Sequence, residues 1–132
     1  MKQISVFVEN KPGTLMGVLQ ILKDSSIQLH AICMADITEY GLCRIICAEP
    51  QRAFEVLRDA GVAASITDVT AVVMSDKPGG AADIVSIMGA SGINIAYIYS
   101  FLYNSRPVLV FRTDDLQKTR EVLNDYEFVE SV

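Results

Sequence analysis

No surplus of basic charge exists in this chain, which has 11 Lys and Arg against 16 Asp and Glu for a formal net charge of −5. That balance argues against a surface able to neutralise a run of phosphates, so nucleic acid is not expected as a direct partner. Nor does any stretch approach the roughly 18 to 20 apolar residues that cross a bilayer. The opening Met1-Lys2-Gln3-Ile4 lacks the apolar core of a signal peptide, so the expected setting is cytoplasmic, with no membrane partner. Histidine occurs once, as His30, with no acidic or cysteine companion at catalytic spacing, and a solvated or structural role is its plain reading. Cysteine occurs three times, as Cys33, Cys43 and Cys47, without a C-x-x-C spacing. Such a set indicates buried reduced thiols rather than a disulfide framework or a zinc site, and neither a metal nor a cofactor is implied. A hairpin turning near Tyr40 would bring Cys33 toward Cys47.

Apolar residues, by contrast, are plentiful: 51% of the 132 positions, with a mean hydropathy of +0.32. More apolar surface is present than one half-covered layer needs, so burial on more than one face, or oligomerisation, is expected. The length suits either one compact domain or two small halves. The halves are favoured, because Asn10-Lys11-Pro12-Gly13-Thr14-Leu15 returns 66 positions later as Asp76-Lys77-Pro78-Gly79-Gly80-Ala81. With the same offset Leu15, Val18, Leu19 and Leu22 fall on Ala81, Ile84, Val85 and Met88, an apolar helical stripe in both copies. The spacing predicts helices over Thr14 to Asp24 and Gly80 to Ala90.

Before each helix stands a short alternating strand, Ile4 to Val8 and Thr70 to Met74. After it come Ser25 to Leu29 and Ser91 to Ile95, turns that lead into a second strand. Hairpins near Tyr40-Gly41 and Asn104-Ser105-Arg106 lead into third strands, Leu42 to Ala48 and Val108 to Thr113. A second helical pattern follows at Ala53, Val56, Leu57 and Ala60, and again at Thr119, Val122, Leu123 and Tyr126, with Pro50 and Asp114-Asp115 suited to the helix starts. Each half ends on a β-prone segment, Val62 to Thr67 and Phe128 to Val132. The class is therefore α+β: two β-α-β-β-α-β units, residues 1–67 and 68–132, each an antiparallel sheet with both helices on one face. Ala31, Cys33 and Ala35 correspond to Tyr97, Tyr99 and Phe101, a small row and a large row that would suit a packed interface between unequal copies.

The combination of "VENKPGTLMGVL", "SDKPGGAADIV" and "SGINIAYI" resembles the ACT domain, once in each half. The resemblance spans essentially the whole chain twice, and rests on the combination rather than on Lys-Pro-Gly alone. It implies two ferredoxin-like units forming a non-catalytic regulatory module that binds a small molecule, usually an amino acid, at the interface of paired units. A regulated enzyme of unknown identity would be the downstream partner, and a homodimer the expected assembly. Ala81 departs from the pattern where Leu15 follows it, and Ser26-Ile27-Gln28-Leu29 lacks the glycine of the second copy's turn, so two equal sites are not implied.

The loops have a capability of their own. A Pro-Gly at a helix start leaves N–H groups at Gly13, Thr14 and Leu15, and at Gly79, Gly80 and Ala81, where the helix dipole favours a carboxylate. Asn10 and Asp76 could accept from an ammonium group, which completes the recognition of a zwitterion. Lys11 and Lys77 add positive potential, and Pro12 and Pro78 fix the turn. From the second strands come His30, Ala31, Ile32, Asn94, Ala96 and Tyr97 as partners, of which His30, Ile32, Asn94 and Ala96 share one parity. The plain alternative is that each Asn, Asp and Gly only shapes its turn. Two other functions fit the same scaffold. One is a structural or protein-interaction domain without ligand. The other is an acylphosphatase-like hydrolase, which would want an arginine in the phosphate loop, and neither loop has one.

Overall fold

A computed structural model describes residues 1–35 and 39–132 of the chain. Its elements run β1 (Lys2–Glu9), α1 (Thr14–Asp24), β2 (Leu29–Ala35), β3 (Tyr40–Cys47), α2 (Pro50–Asp59), β4 (Ala64–Asp68), β5 (Thr70–Val73), α3 (Gly80–Ala90), β6 (Ile95–Tyr103), β7 (Arg106–Thr113) and α4 (Leu116–Val122). The chain divides into two compact units, Lys2–Thr67 with Val132, and Asp68–Ser131 with Met1.

In the first unit the sheet order is β2-β3-β1-β4, so the strands that bracket α1 are not neighbours and β3 inserts between them. Alternation puts Ile4, Val6 and Val8 of β1 on the same face as their cross-strand partners on β3, with Ile4 opposite Ile45 and Val6 opposite Cys43. That face meets Val18 and Leu22 of α1 and Ala53 and Leu57 of α2 in one buried cluster. Removing a fully buried side chain of this kind from water contributes about 1.5–3 kcal/mol. Of the expected stripe, Val18 and Leu22 are buried and Leu15 packs partly against them, whereas Ile21 takes the place expected for Leu19.

The second unit repeats the plan with the order β5-β7-β6. Val72, Leu109 and Phe111 cover Ile84 and Met88 of α3 and the buried Leu123, while Val85 of the expected stripe is exposed. The closing segment differs from its counterpart β4. Only a bridge between Val72 and Phe128 forms, flanked by Val73 N–H donating to the Glu127 carbonyl at 2.9 Å and Val129 N–H to the Ala71 carbonyl at 2.8 Å. β5 has four residues where β1 has eight, so its outer edge offers too few backbone groups for a longer ladder.

Two expectations about the first hairpin are corrected. Tyr40 and Gly41 lie inside β3, opposite Glu9 and Val8 of β1, rather than between the strands, and residues 36–38 lie outside the described residues. That register sets Cys33 opposite Arg44, Cys43 opposite Met34 and Cys47 opposite Leu29. Cys47 therefore does not approach Cys33 across the hairpin. Burial pushes the Cys43 thiol up to about 11, with Cys33 nearby adding to the shift, and burial also raises Cys47. Among the described residues no group of His, Cys, Asp and Glu is arranged to hold a metal ion, and no helix is long and apolar enough to cross a membrane.

Candidate functional site

The doubled Lys-Pro-Gly builds one backbone device twice. Gly13 has φ 89° and ψ −16°, and Gly79 has φ 92° and ψ −1°. These are the values of the third residue of a type II turn, which requires φ > 0 there and favours proline just before it. The turn closes when Thr14 N–H reaches the Lys11 carbonyl at 3.5 Å, and Gly80 N–H the Lys77 carbonyl at 3.1 Å. Each glycine then caps the helix that follows: its carbonyl accepts from Gly17 N–H at 3.1 Å and from Asp83 N–H at 3.0 Å. No side chain caps either helix. A Cβ built on Gly13 or Gly79 meets nothing within 4 Å, so the turn stands open above its helix end.

This geometry corrects the donor set expected from the sequence. Thr14 and Gly80 turn their N–H groups inward to close the turn, which leaves those of Gly13, Leu15, Gly79 and Ala81 as the candidate donors for a carboxylate. The Leu15 side chain belongs to the core of its unit, whereas Ala81 is exposed.

The two loops are not equivalent beyond the turn. In the first, the Thr14 hydroxyl lies 2.5 Å from the Glu9 carbonyl oxygen and 2.9 Å from that of Lys11, so one proton is shared between two acceptors. Lys11 Nζ pairs with the Glu9 carboxylate at 2.8 Å, which raises the lysine's pKa through that hydrogen bond and the neighbouring charge. Asn10 N–H donates to the Glu39 carbonyl at 2.9 Å, and Glu9, Asn10, Lys11, Glu39 and Tyr40 surround a shallow cleft of about 380 Å³. In the second loop Ser75 stands in the place of Glu9, leaving Lys77 without the corresponding acid, and Gly80 stands in the place of Thr14. A Cβ on Gly80 would sit 2.3 Å from the Ser75 carbonyl oxygen. The helix start presses directly onto the strand end, where the first copy inserts a threonine. Asp76, Lys77, Pro78 and Gly79 are exposed.

On the second strands the expected row is split. The ladder between β2 and β3 shifts between Leu29 and Ala31, and that between β6 and β7 shifts between Ile95 and Tyr97. Each shift is a bulge, at His30 and at Ala96, and a bulge breaks the two-residue alternation on which a shared parity depends. Ile32 ends opposite Ile45 on the helix side, while Ala31 lies opposite Ile46 on the other face. Tyr97 lies opposite Arg112 and stacks on Tyr99 with ring centroids 6.5 Å apart. Asn94 precedes β6 and is tied to Asp114, whose carboxylate accepts Asn94 N–H at 3.2 Å.

Within one unit these strand residues and the loop lie at opposite ends of the sheet. Glu9, at the loop, is level with Tyr40, and Ala31 is level with Ile46, a separation on the order of 20 Å along the strand. The same holds in the second unit, where Met74 N–H bonds the Pro107 carbonyl at 3.0 Å and Tyr97 lies opposite Arg112. A ligand touching a loop and such a strand residue together needs two units. Sequence reasoning missed the Glu9–Lys11 pair, although the two residues flank the turn, and missed Glu39 and Tyr40 because the hairpin was placed one step too late.

Two split β-α-β units, each opening a helix on a Pro-Gly turn, define a tandem small-domain architecture. The family model for an ACT domain pair matches residues 1–132, and the chain belongs to that family. It is 35% identical to a Bacteroides thetaiotaomicron protein of known crystal structure, with a TM-score of 0.90 over 97% of this chain and 90% of that one. The regulatory subunit of aspartate kinase from Thermus thermophilus shares the fold, at 18% identity and a TM-score of 0.66 over 94% of this chain and 91% of that one. So does its Thermus flavus counterpart, at 18% identity and a TM-score of 0.61 over 94% and 90%. No curated protein matches the chain.

Proposed function

We propose that this chain is a non-catalytic regulatory module that binds an amino acid where ACT units pair, with the ligand carboxylate on the N–H groups beyond a Pro-Gly turn. The observation that carries this reading is the turn itself, built twice with Gly13 and Gly79 left open to the outside. Gly80 and Asn10 hold the turns in place, and Asp76 offers an acceptor for the ligand ammonium. Lys11, Pro12, Thr14, Leu15, Lys77, Pro78 and Ala81 form the remainder of the loops. His30, Ala31, Ile32, Asn94, Ala96 and Tyr97 are the strand contacts, supplied by a unit other than the one whose loop holds the carboxylate, because one sheet cannot bring both ends to one ligand.

The likeness to aspartate kinase regulatory subunits supports a regulatory role toward a separate enzyme. Cytoplasmic location and a homodimer complete the proposal, and sedimentation showing a strict monomer removes the homodimer. A sensor of metabolite level is expected to bind in the micromolar to millimolar range, about −8 to −4 kcal/mol. A thermal-shift screen of the twenty amino acids tests the central point: at least one raises the melting temperature at millimolar concentration, and the absence of any shift refutes it.

A further inference from the structure

The segment that closes the second unit departs in register from its counterpart in the first. Phe7 N–H donates to the Ala63 carbonyl at 3.0 Å, and an offset of 66 would pair Val73 with Val129 in the same way. Val73 N–H instead takes the Glu127 carbonyl at 2.9 Å, two residues earlier. A slip of two keeps the facing of every side chain, and it brings Phe128 opposite Val72 where Glu130 would otherwise stand. Phe128 packs against the core of its unit, a place Glu130 could fill only by burying its charge. To reach β5 early, the chain gives up most of a helical turn: α4 ends at Val122, whereas α2 ends at Asp59, the counterpart of Asp125.

Side chains, rather than a ladder, hold this register. Two backbone hydrogen bonds flank the single bridge, the second from Val129 N–H to the Ala71 carbonyl at 2.8 Å, whereas β4 is a strand of five residues. Two clasps reach the segment from other elements. Arg106, at the start of β7, grips Glu127 with Nη1 to Oε1 at 3.0 Å and Nη2 to Oε2 at 2.6 Å. Arg120, on α4, donates to Glu130 and lies 4.3 Å from the centroid of the Phe128 ring. Both carboxylate side chains are 60% exposed, so dissolved salt screens both pairs. The first unit has Tyr40 and Phe54 at the places of the two arginines, and therefore no such clasps.

We propose that residues 127–130 form a strap that opens from β5 while the rest of the second unit stays folded, with the two arginine clasps setting how often it does so. Few backbone hydrogen bonds, exposed charges and one partly buried ring are the marks of a segment that opens without global unfolding. Tyr126 packs on the core and donates its N–H to the Leu123 carbonyl at 2.9 Å, which makes it the fixed end of the strap. Opening bares the Val73 N–H and the Ala71 carbonyl, so that β5 becomes an unpaired strand edge. The strap does not depend on what the Pro-Gly loops bind.

Hydrogen exchange of the full chain, followed by NMR, tests this, with Phe7 N–H as the reference amide at the equivalent place of the first unit. Val73 and Val129 are expected to share one protection factor, about tenfold or more below that of Phe7. Raising NaCl from about 20 mM to about 500 mM is expected to lower both by about threefold, the scale of exposed ion pairs, and to leave Phe7 unchanged. Arg106→Gln and Glu127→Gln are each expected to cause a similar loss at low salt and to weaken the response to salt. Lys118→Gln, which removes a charge from α4 outside both clasps, is expected to change nothing. Protection at Val73 and Val129 equal to that at Phe7 overturns the strap, as does a loss that appears equally at Phe7, the mark of global opening. Protection that neither salt nor Glu127→Gln alters overturns the role of the clasps.

Discussion

Gly80→Ala should destabilise the second unit, and Gly89→Ala in the same helix should stabilise it. At Gly80 the new methyl would lie 2.3 Å from the Ser75 carbonyl oxygen, with the Ser75 carbonyl carbon at 3.2 Å and its nitrogen at 3.3 Å. All three are backbone atoms. They adjoin Met74, whose N–H is bonded to the Pro107 carbonyl at 3.0 Å, and relief would have to move the end of a strand. Overpacking of this kind costs about 1–3 kcal/mol, and the better helix propensity of alanine returns less than about 1 kcal/mol at a helix end. The expected net loss is about 1–2 kcal/mol, or roughly 3–6 °C in melting temperature for a chain of this size. At Gly89 nothing lies within 4 Å of the added methyl, so only the propensity gain remains, about 0.5–1 kcal/mol. Paired urea titrations of the two variants read the difference. Equal or same-signed effects would refute the claim that Gly80 is dictated by close approach of the helix to the strand end.

Gly13→Ala meets no neighbour, but φ 89° penalises any side chain, so a loss of about 1–2 kcal/mol is expected in urea unfolding from strain alone. Asn104 and Ser105 have φ 52° and 61°, the pattern of a type I′ hairpin turn, and Ser105→Gly is expected to raise stability by about 0.5–1 kcal/mol, read as a higher urea midpoint. Ser26 has φ 56° where the second copy has Gly92, so Ser26→Gly should also stabilise, by a few tenths to about 1 kcal/mol in the same assay. The Cys43 thiol is raised from 9.0 to about 11 in the folded chain, chiefly by burial. Its contribution is complete below the unfolded value and is lost as pH rises through the folded one, so between pH 9 and 11 it removes about 2–3 kcal/mol. A stability-versus-pH series should fall less steeply across that window for Cys43→Ala than for the parent, and parallel curves would refute the assignment.

How far these features are legible in the sequence depends on whether the deciding interaction is local. The helix starts at Thr14 and Gly80 were readable because proline and a glycine with φ > 0 specify a type II turn by their own sterics. The strand order follows from β-α-β-β-α-β connectivity, which leaves few ways to cover one face of a sheet. The bulges at His30 and Ala96 were not readable, since neither carries the glycine that commonly marks one, and a single extra residue reverses the facing of everything after it. The first hairpin was misplaced for a related reason: Tyr40-Gly41 looks like a turn dipeptide, yet its pairing with β1 is a long-range contact that outweighs local preference. The Arg106–Glu127 fork joins residues 21 apart through a segment that forms a single bridge, and no periodicity announces it.

The divergence between the copies follows one physical line. Where Thr14 shares its proton between two carbonyls, Gly80 removes the side chain and lets the backbone close the gap. Both solutions hold the same turn, so the turn is the common requirement and the side chains around it are where the copies are at liberty to differ. Glu9 against Ser75 and Tyr40 against Arg106 are differences of charge at the loop end of each sheet. Neither is demanded by packing, since all four residues are exposed. Substituting Glu9 by Ser frees Lys11 from its 2.8 Å partner and gives the first loop the electrostatics of the second. If the loops bind carboxylates, Glu9→Ser should strengthen amino-acid binding at the first loop and make it more sensitive to salt, because the released ammonium then acts on the ligand rather than on its neighbour. Calorimetry at two ionic strengths reads both effects, and unchanged affinity at low salt would show that Lys11 contributes nothing to the anion site.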